Sequence, residues 1–458
     1  MERAGTHRAA DTLPGTGSIH FDWTSNGILD LMPTDVSSPR RLDWRELAGC
    51  QPETRRRRVE MRLLPLVLAI LLLSVSSSKV LAAEPTVEVR GAWIDRSSLV
   101  SREEIRATLR QLATAHFNLA LINVWSRGYP LWKSQVFEEE TGITTDPGFA
   151  GRDVLAEVVE EARIVGIAVM PWFEYGFIGG YSGYLPGPGG RGPIFERHPE
   201  WLAVTRSQVT GFPAPGGFFY WMAHTRPDVQ EFLLRMITEV CRNYPVVGIQ
   251  FDRARYPQLD CGYDSYTLQL YARENLGAAP PTDPAASFWV RWRANKLNDF
   301  VATIRQRVRA IGRHLLVSNA PIVFPYSYVN FAQEYPAWMA RGALDFTVPQ
   351  IYRRDAATFE AELQRQMSSA GRTERLVAGI DSTNPSVDDL IKMVETTRAY
   401  GLPGAVLWYY RALLDKGALS RLRQTVFTAP ARLPWVIGTP SPVPSRSGPG
   451  ARRVGDQP

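Results

Sequence analysis

The chain has few cysteines and no motif typical of a metal site. Its 458 residues include only three cysteines, Cys50, Cys241 and Cys261, too few for a fold held together by disulfides. A strand predicted between Cys241 and Cys261 spans roughly 20 Å, whereas a disulfide requires Cα atoms within roughly 7 Å. No paired Cys and His spacing typical of zinc occurs, and His198 and His224 are only weak metal candidates. We therefore predict no bond between those two cysteines, no metal and no cofactor.

Other absences exclude further classes of protein. The chain has no Gly-x-Ser-x-Gly elbow of the kind found in serine hydrolases. Residues 94–98, which follow the first predicted strand, are not the glycine-rich turn that binds phosphate in doubly wound sheets. The net charge is +6, but five of these charges fall in residues 61–83 and 431–458, so the middle of the chain is close to neutral. That balance predicts no nucleic-acid partner.

The two ends of the chain differ from its middle. Met61 and Arg62 precede an apolar run, Leu63–Val75, and small residues follow it up to Ala83, a pattern typical of a secretory signal. The run is short for a membrane span. We predict residues 1–60 to be a gene-model extension or disordered, residues 61–83 to be a signal peptide, and the mature protein to be periplasmic or extracellular. If residues 1–60 are made, the apolar run is expected to act as a membrane anchor; if the signal is cleaved, no stable span remains. The Pro-, Ser- and Arg-rich tail, residues 429–458, is predicted to be disordered.

Between these ends, strand and helix patterns alternate. Eight strands are predicted, at Arg90–Ile94, Leu119–Trp125, Ile167–Tyr175, Val246–Asp252, Leu315–Asn319, Asp345–Tyr352, Leu376–Ile380 and Ala405–Tyr409. Helical patterns lie between them and after the last, at Ser101–Ala115, Arg152–Val165, Asp228–Asn243, Phe288–Ile311, Phe331–Arg341, Ala356–Ala370, Val387–Tyr400 and Asp415–Arg423. This order predicts an α/β fold, a single (β/α)₈ TIM barrel over residues 84–428. An open doubly wound sheet is the alternative. The loops after strands 3 and 4 are long, and long loops in compact domains are usually functional.

The fourth predicted strand carries the most informative residue. Side chains alternate along a strand, so Gly248, Gln250 and Asp252 are expected to face the barrel interior, and Val247 and its alternate neighbours to face the helices. Asp252 then lies at the carboxyl end of a central strand, where barrel enzymes hold their catalytic groups. The alternative is that Asp252 caps a turn or pairs with Arg253 or Arg255.

A second carboxylate follows strand 3. Alternation puts Glu174 at the same end of the barrel as Asp252, on the neighbouring strand. Glycoside hydrolysis uses such a pair: one group protonates the leaving oxygen, and the other attacks the sugar or activates water. Burial beside Trp172 is expected to raise the pKa of Glu174 and suit it to acid catalysis, while Arg253 and Arg255 keep Asp252 ionised. The alternative is that Glu174 is an ion-pair partner for one of those arginines.

Other side chains near the predicted strand ends suit sugar binding or rim structure. Asn319, Gln350 and Tyr352 are able to hydrogen-bond sugar hydroxyls. Asp381, after strand 7, either replaces one member of the catalytic pair or caps the helix that begins near Ser386. Aromatic rings stack on sugar rings, although they also fill cores. The candidate stacking platforms are Trp125, Trp172, Tyr352 and Trp408.

Several motifs, in order, resemble those of the glycosyl-hydrolase-like family 10 domain over about Arg90 to Arg423. They are Arg90–Trp93, Asn123–Tyr129, Trp172–Gly176, Gly248–Asp252 with Arg255–Pro257, and Pro349–Tyr352. The resemblance implies a barrel related to glycoside hydrolases, an extracytoplasmic polysaccharide or cell-wall substrate, and Asp252 as the aspartate of strand 4. The chain departs from many relatives in having Arg253, not a second acid, directly after that aspartate. It also has Glu174 where some relatives have Asn.

Two functions from different classes follow. The first is an exported glycoside hydrolase that cleaves a polysaccharide or a peptidoglycan glycan strand, with Asp252 and Glu174 as catalytic residues. The expected substrate-binding residues are Asn123, Trp125, Arg127, Trp172, Arg255, Tyr256, Asn319, Gln350, Tyr352, Asp381 and Trp408. The second is a non-catalytic glycan-binding protein on a barrel scaffold, which a bidentate pair between Glu174 and Arg253 would favour. A metal-dependent hydrolase or deacetylase is a weaker third.

Overall fold

A computed structural model describes residues 87–149, 151–184 and 190–436. The predicted extension at residues 1–60, the predicted signal peptide at 61–83 and the tail beyond residue 436 lie outside the described residues.

Eight parallel strands form one sheet. We label them β1 to β8 in chain order: Val89–Ile94, Leu119–Asn123, Ala168–Phe173, Gly248–Phe251, Leu316–Asn319, Phe346–Thr347, Ala378–Asp381 and Gly404–Trp408. Neighbours in the sheet follow chain order from β1 to β6, and β7 pairs with β8, which pairs with β1. The sheet closes between β6 and β7, where the Val377 nitrogen donates to the Thr347 oxygen at 2.9 Å and the Gly379 nitrogen to the Pro349 oxygen at 3.1 Å. The predicted (β/α)₈ barrel is confirmed.

A helix follows each strand. These helices, α1 to α8, are Arg102–Thr114, Val154–Val165, Pro227–Asn243, Ser287–Ile311, Tyr335–Ala340, Ala356–Ala370, Val387–Ala399 and Ala418–Thr425. Ser101 caps α1 and Ser386 caps α7, each accepting a hydrogen bond from a first-turn backbone nitrogen. The predicted helix Phe331–Arg341 is corrected: a separate helix, Tyr326–Phe331, ends at Ala332, whose φ of 51° lies outside the helical range, and α5 begins at Tyr335.

The loops at the carboxyl ends of the strands carry structure of their own. The loop after β3 contains a three-stranded antiparallel sheet, made of Ile178–Tyr181, Gly211–Ala214 and Gly217–Trp221, and a short helix, Pro193–Arg197. The loop after β4 contains the helix Ser265–Glu274. The loop after β2 is also long, with a hairpin of Trp125–Ser126 and Tyr129–Pro130 and the helix Gln135–Thr141. Further short helices are Arg96–Leu99, Pro147–Phe149, Pro199–Trp201, Thr373–Arg375 and Tyr410–Asp415.

The barrel interior is filled by side chains. Trp93 lies among them, and its Nε1 donates to Gln250 Oε1 at 2.7 Å, so Gln250 faces inward as predicted. The expected orientation of Val247 is wrong. It was expected to face the helices, but it packs against the interior cluster. Gly248 accounts for this because its φ of 151° interrupts the regular alternation. A Cβ at Gly248 would lie 2.0 Å from the Leu316 oxygen, so the close approach of β4 to β5 requires glycine there.

We call the amino ends of the strands the base. Ion pairs and the residues up to position 436 cover this end of the barrel. Glu88 lies beside the fully buried Arg90, and Arg90 Nε is 2.7 Å from Glu88 Oε2. The Glu88 nitrogen donates to the Arg432 oxygen at 3.0 Å. Leu433 packs into the interior cluster, and the Trp435 ring stacks on Phe346 at 5.2 Å. Residues 429–436 therefore continue the fold beyond the predicted boundary at residue 428.

Candidate active site

The carboxyl ends of the strands, which we call the rim, bring Glu174 and Asp252 to adjacent positions. Strands β3 and β4 are paired in parallel with Phe173 beside Phe251, so the next residues on the two strands are Glu174 and Asp252. The Asp252 nitrogen donates to the Phe173 oxygen at 3.1 Å. Gly176 lets the chain after β3 pass close to the backbone of Asp252. Its φ is 51°, and a Cβ there would lie 2.0 Å from the Asp252 backbone oxygen.

Asp252 is buried, with 9% of its surface exposed. Its Oδ1 accepts from the Arg253 backbone nitrogen at 2.6 Å, and its Oδ2 accepts from Gln350 Nε2 at 3.1 Å. Burial raises the pKa of Asp252 to about 6, because the loss of hydration outweighs the charges of Arg253 and Arg255. The two arginines lower the pKa of Asp252, as expected, but by less than burial raises it.

Glu174 lies in a different environment, held by two donors. Its Oε2 accepts from Asn123 Nδ2, and its Oε1 accepts from Arg253 Nη1 at 3.2 Å. The same Arg253 nitrogen donates to the Glu174 backbone oxygen at 3.0 Å, so one nitrogen serves both contacts and the pair is not bidentate. Arg253 holds this position with a φ of 43°, in the left-handed region. The Glu174 carboxylate is therefore fixed in position by one cation and one amide.

Aromatic rings lie at the mouth of the barrel. The Trp172 ring is 6.4 Å from that of Trp93 and 5.4 Å from that of Trp408, and Trp172 is 1% exposed. Tyr352 stacks on Trp408 at 6.5 Å and 23°, and both are partly exposed. Burial and, after it, the charge of Asp252 raise the pKa of Tyr352 well above its ordinary value. Tyr352 and Trp408 are therefore placed to meet a ligand. Trp172, which was expected to be a stacking platform, is buried and supports these two rings from the interior.

The polar side chains at the rim form some of their hydrogen bonds with neighbouring residues. Asn319 Oδ1 accepts from Thr347 Oγ1 at 2.7 Å, while its Nδ2 is buried without a hydrogen bond to any described residue. Both Asp381 oxygens are engaged in its own turn, accepting from the Thr383 nitrogen at 2.8 Å and from Asn384 Nδ2 at 2.7 Å. Asp381 therefore does not cap α7, which Ser386 caps, and its carboxylate is held by the turn.

Two candidate residues are buried among the side chains of the rim loops. Trp125 is 1% exposed and packs between Phe137, at 5.9 Å, and Phe232, at 6.4 Å, so it fills the core under the loop after β2. The structure therefore contradicts its expected role as a stacking platform. Tyr256 is 3% exposed, and its ring lies 4.5 Å from that of His224 in the core of the loop after β4. Contact between either ring and a substrate would require these loops to move.

Arg127 and Arg255 are partly exposed cations that rest on aromatic rings. Arg127 lies 5.0 Å from the Tyr184 ring centroid. Arg255 lies between Trp221, at 5.2 Å, and Phe331, at 4.3 Å. Sequence reasoning missed Trp221 and Phe331, which come from the loops after β3 and β5. No short-range pattern links residues so far apart along the chain.

The weak metal candidates have other surroundings. The ring of His224 stacks on Phe177 at 4.6 Å, and burial lowers the pKa of His224 to about 3. His198 Nε2 lies 3.0 Å from Glu140 Oε2. Across residues 87–149, 151–184 and 190–436, no group of three or more His, Cys, Asp or Glu side chains is arranged to hold a metal ion. Within the same ranges, no helix is long and apolar enough to span a membrane.

The barrel is of the kind found in glycoside hydrolases. It is similar to the catalytic domain of a β-amylase from Paenibacillus polymyxa, with a TM-score of 0.56 and 10% identity over 76% of this chain and 99% of that one. It is also similar to α-L-fucosidase isoenzyme 2 from Paenibacillus thiaminolyticus, with a TM-score of 0.52 and 13% identity over 74% of this chain and 49% of that one. At these identities the similarity shows the fold alone.

Residues 88–398 match the Glycosyl hydrolase-like 10 family, and the chain belongs to that family. It is 23% identical over 294 residues to the glycosyl hydrolase DigH of Escherichia coli K12, covering 57% of this chain and 61% of DigH. It is 22% identical over 241 residues to the glycosyl hydrolase YngK of Bacillus subtilis, covering 49% of this chain and 43% of YngK. The chain thus spans less than two thirds of the length of these relatives. Membership of this family supports a glycoside-hydrolase type of function.

Proposed function

We propose that the protein is an exported glycoside hydrolase in which Asp252 is the general acid and Glu174 is the base or nucleophile. The observation that carries this proposal is the contrast between two adjacent carboxylates. Burial raises the pKa of Asp252 to about 6, while Glu174 accepts hydrogen bonds from Arg253 and Asn123. Two titratable groups with such different environments are typical of an acid and base pair. The roles are the reverse of those expected from the sequence.

The proposed reaction uses Asp252 in its protonated form and Glu174 in its ionised form. Protonated Asp252 donates its proton to the glycosidic oxygen as the bond to the leaving sugar breaks. Ionised Glu174 either attacks the anomeric carbon or takes a proton from the attacking water, and the separation of the two carboxyl groups in the substrate complex decides which. Gln350, which donates to Asp252 Oδ2 at 3.1 Å, fixes the orientation of the acid.

The proposed substrate is a polysaccharide or a peptidoglycan glycan strand. Tyr352 and Trp408 offer a stacked aromatic surface beside the carboxylates, and aromatic faces suit the apolar faces of sugar rings. The names of DigH and YngK support glycosidic bonds as the target. Export rests on the signal-like residues 61–83, which precede the barrel.

The test is the release of reducing ends from a glycan panel. The panel contains peptide-free peptidoglycan, chitin oligomers and bacterial or plant α- and β-glucans, and each is incubated with the wild-type protein and with Asp252→Asn. We expect release from at least one glycan and a loss of about 1000-fold in Asp252→Asn, because acid catalysis contributes about 100- to 10,000-fold. An unchanged rate in the variant would remove Asp252 from the mechanism.

The second candidate is a glycan-binding protein without turnover, and a bidentate pair between Glu174 and Arg253 would favour it. The observed contact uses one arginine nitrogen, so that support is missing. Binding of a glycan with no release of reducing ends, and the same affinity in Asp252→Asn, would favour this candidate over the hydrolase.

A further inference from the structure

Arg255 is a cation at the rim without an acidic partner. Among the described residues it forms no ion pair, although Arg253, two residues before it, pairs with Glu174 at 3.2 Å. Its recorded hydrogen bond is long, from Nη1 to the Tyr256 oxygen at 3.4 Å. Most of its N–H donors therefore have no partner within residues 87–149, 151–184 and 190–436.

A second arginine without an acidic partner shows how the protein satisfies a purely structural guanidinium. Arg293 is fully buried, and its nitrogens donate to backbone oxygens, among them that of Cys261 at 2.7 Å and that of Pro284 at 2.6 Å. Arg255 has no such set of carbonyls. The Arg255 side chain is only partly buried, so part of it remains open to a ligand.

Two aromatic rings fix the position of the Arg255 guanidinium, in an orientation suited to binding a planar anion. Phe331 and Trp221 lie 4.3 and 5.2 Å from the guanidinium carbon, and their rings restrict its position. The Tyr256 nitrogen donates to the Phe331 oxygen at 3.2 Å, which ties this segment of the chain to the helix that supplies Phe331. The free edge of a guanidinium is a fork of N–H groups that matches the two oxygens of a carboxylate.

The electrostatics favour an incoming negative charge. Burial and the neighbouring charge of Arg253 lower the pKa of Arg255 to about 9, so it stays a cation at neutral pH in surroundings that oppose its charge. Asp252 is near enough to act in the opposite direction, but it forms no ion pair with Arg255. A ligand carboxylate would supply the missing counter-charge.

We propose that Arg255 binds a carboxylate on the substrate, so that the glycan accepted beside Asp252 contains an acidic, carboxylate-bearing sugar. The proposal rests on the proposed function, because it names the substrate class of the same site. It assigns to Arg255 the choice between acidic and neutral sugars of otherwise equal shape.

The test compares glycans that differ in the carboxylate. Peptide-free peptidoglycan strands and oligogalacturonates are prepared with their carboxyl groups intact and after chemical reduction of those groups to alcohols. Binding of all four to the full chain carrying Asp252→Asn is measured by calorimetry, so that turnover does not intervene. We expect at least one intact glycan to bind about 10-fold or more tightly than its reduced form, the scale of a charge-assisted hydrogen bond.

Variants assign the preference to the side chain. Arg255→Gln, added to Asp252→Asn, should abolish the preference for the intact glycan, and Arg255→Lys should keep part of it. Arg273→Gln is the matched control, because Arg273 also rests on an aromatic ring, Tyr266 at 5.7 Å, and has no ion pair with a described residue. Its preference should match that of the parent.

The outcomes for the carboxylate site and for the hydrolase are separable. Equal binding of intact and reduced glycans, no binding of any intact glycan, or a preference that survives Arg255→Gln would each overturn the carboxylate site. The first of these comparisons needs no Arg255 variant, so a variant that fails to fold does not prevent the test. Reducing-end release by the wild-type protein, measured on the same four glycans, reports the proposed hydrolase independently.

Discussion

The two ends of the barrel use the same types of charged residue in opposite ways. At the base, Glu88 receives Arg90 Nε at 2.7 Å and Arg398 Nε at 2.6 Å on its two oxygens, so the buried carboxylate is matched by two cations. At the rim, burial raises the pKa of Asp252 to about 6, and Arg255 has no acidic partner among the described residues. Glu88 at the base is thus paired with two arginines, whereas Asp252 and Arg255 at the rim form no ion pair with a described residue.

This difference follows from what each end has to do. A buried charge is tolerated when it is paired and hydrogen-bonded, and a network with every member satisfied makes the structure rigid. An unsatisfied group at a solvent-facing cleft costs stability but remains available to a substrate. Barrels generally place function at the carboxyl ends of the strands and stability at the amino ends. Substitutions at the base are therefore expected to lower stability, and substitutions at the rim to change chemistry.

Glu88→Gln should destabilise the fold strongly and leave the chemistry intact. The substitution removes the negative charge between Arg90 and Arg398 and leaves buried positive charge without compensation. Loss of one member of a buried pair costs about 3–5 kcal/mol. We expect the free energy of unfolding, from urea denaturation, to fall by about that amount, while turnover per folded molecule stays unchanged.

The control for the base is an exposed ion pair. Glu160 and Arg102 lie 2.6 Å apart with 57% and 43% of their side chains exposed, so Glu160→Gln should leave the free energy of unfolding almost unchanged. Equal losses in Glu88→Gln and Glu160→Gln would show that the base network contributes no more than a surface pair, and the contrast between base and rim would fail.

Much of the barrel could be predicted from hydrophobic patterns. Period-two runs and helix caps located seven of the eight strands and seven of the eight helices to within a few residues, because buried strands and amphipathic helices repeat over short distances. The predicted strand Asp345–Tyr352 is corrected to Phe346–Thr347. Pro349 cannot donate a ladder hydrogen bond, and regular pairing ends before it. The break at Ala332 and the positive φ of Gly248 depend on tertiary contacts, so they were missed.

The site was predictable in position but not in electrostatics. Strand alternation brought Asp252 and Glu174 to the same end on neighbouring strands, because it needs only local geometry. The proposed roles are the reverse of the expected ones because the pKa of a buried acid depends on how much water the fold removes, and no local pattern reports that. Trp125 was misplaced for a similar reason. Its partners Phe137 and Phe232 come from two different helices, and they turn a candidate platform into core.

Asp252→Asn should stabilise the protein at neutral pH while it removes the proposed activity. Folded Asp252 holds its proton up to about pH 6, whereas an unfolded aspartate releases it near 3.8. Between those values the folded state binds more protons, so the free energy of unfolding of the wild type falls as pH rises and levels off above pH 6. Ionising Asp252 at neutral pH therefore costs the folded wild type about 3 kcal/mol, and Asp252→Asn removes this cost. The substitution also loses one hydrogen bond of Asp252, which offsets about 1 kcal/mol of the gain in stability.

The measurement is the free energy of unfolding of both proteins from pH 4 to 8. We expect Asp252→Asn to exceed the wild type by about 2 kcal/mol above pH 6 and to lose that advantage towards pH 4. Asp299→Asn is the control, because Asp299 is 68% exposed in its pair with Arg341 and should show no such trend. A difference that does not vary with pH would mean that folding leaves the titration of Asp252 unchanged.

The smallest expected effect concerns Gln350, a neutral side chain that hydrogen-bonds the acid. Gln350 Nε2 donates to Asp252 Oδ2 at 3.1 Å and so favours its ionised form. Gln350→Met keeps a similar shape but removes the donor, so the pKa of Asp252 should rise further, by about one pH unit, since a hydrogen bond to a charged group is worth about 1.5–3 kcal/mol and one unit is about 1.4 kcal/mol. If protonated Asp252 is the acid, the alkaline limb of kcat/KM should move to higher pH by that amount. A limb that stays in place while the rate falls would mean that another group titrates there, and that Gln350 acts on the substrate and not on the acid.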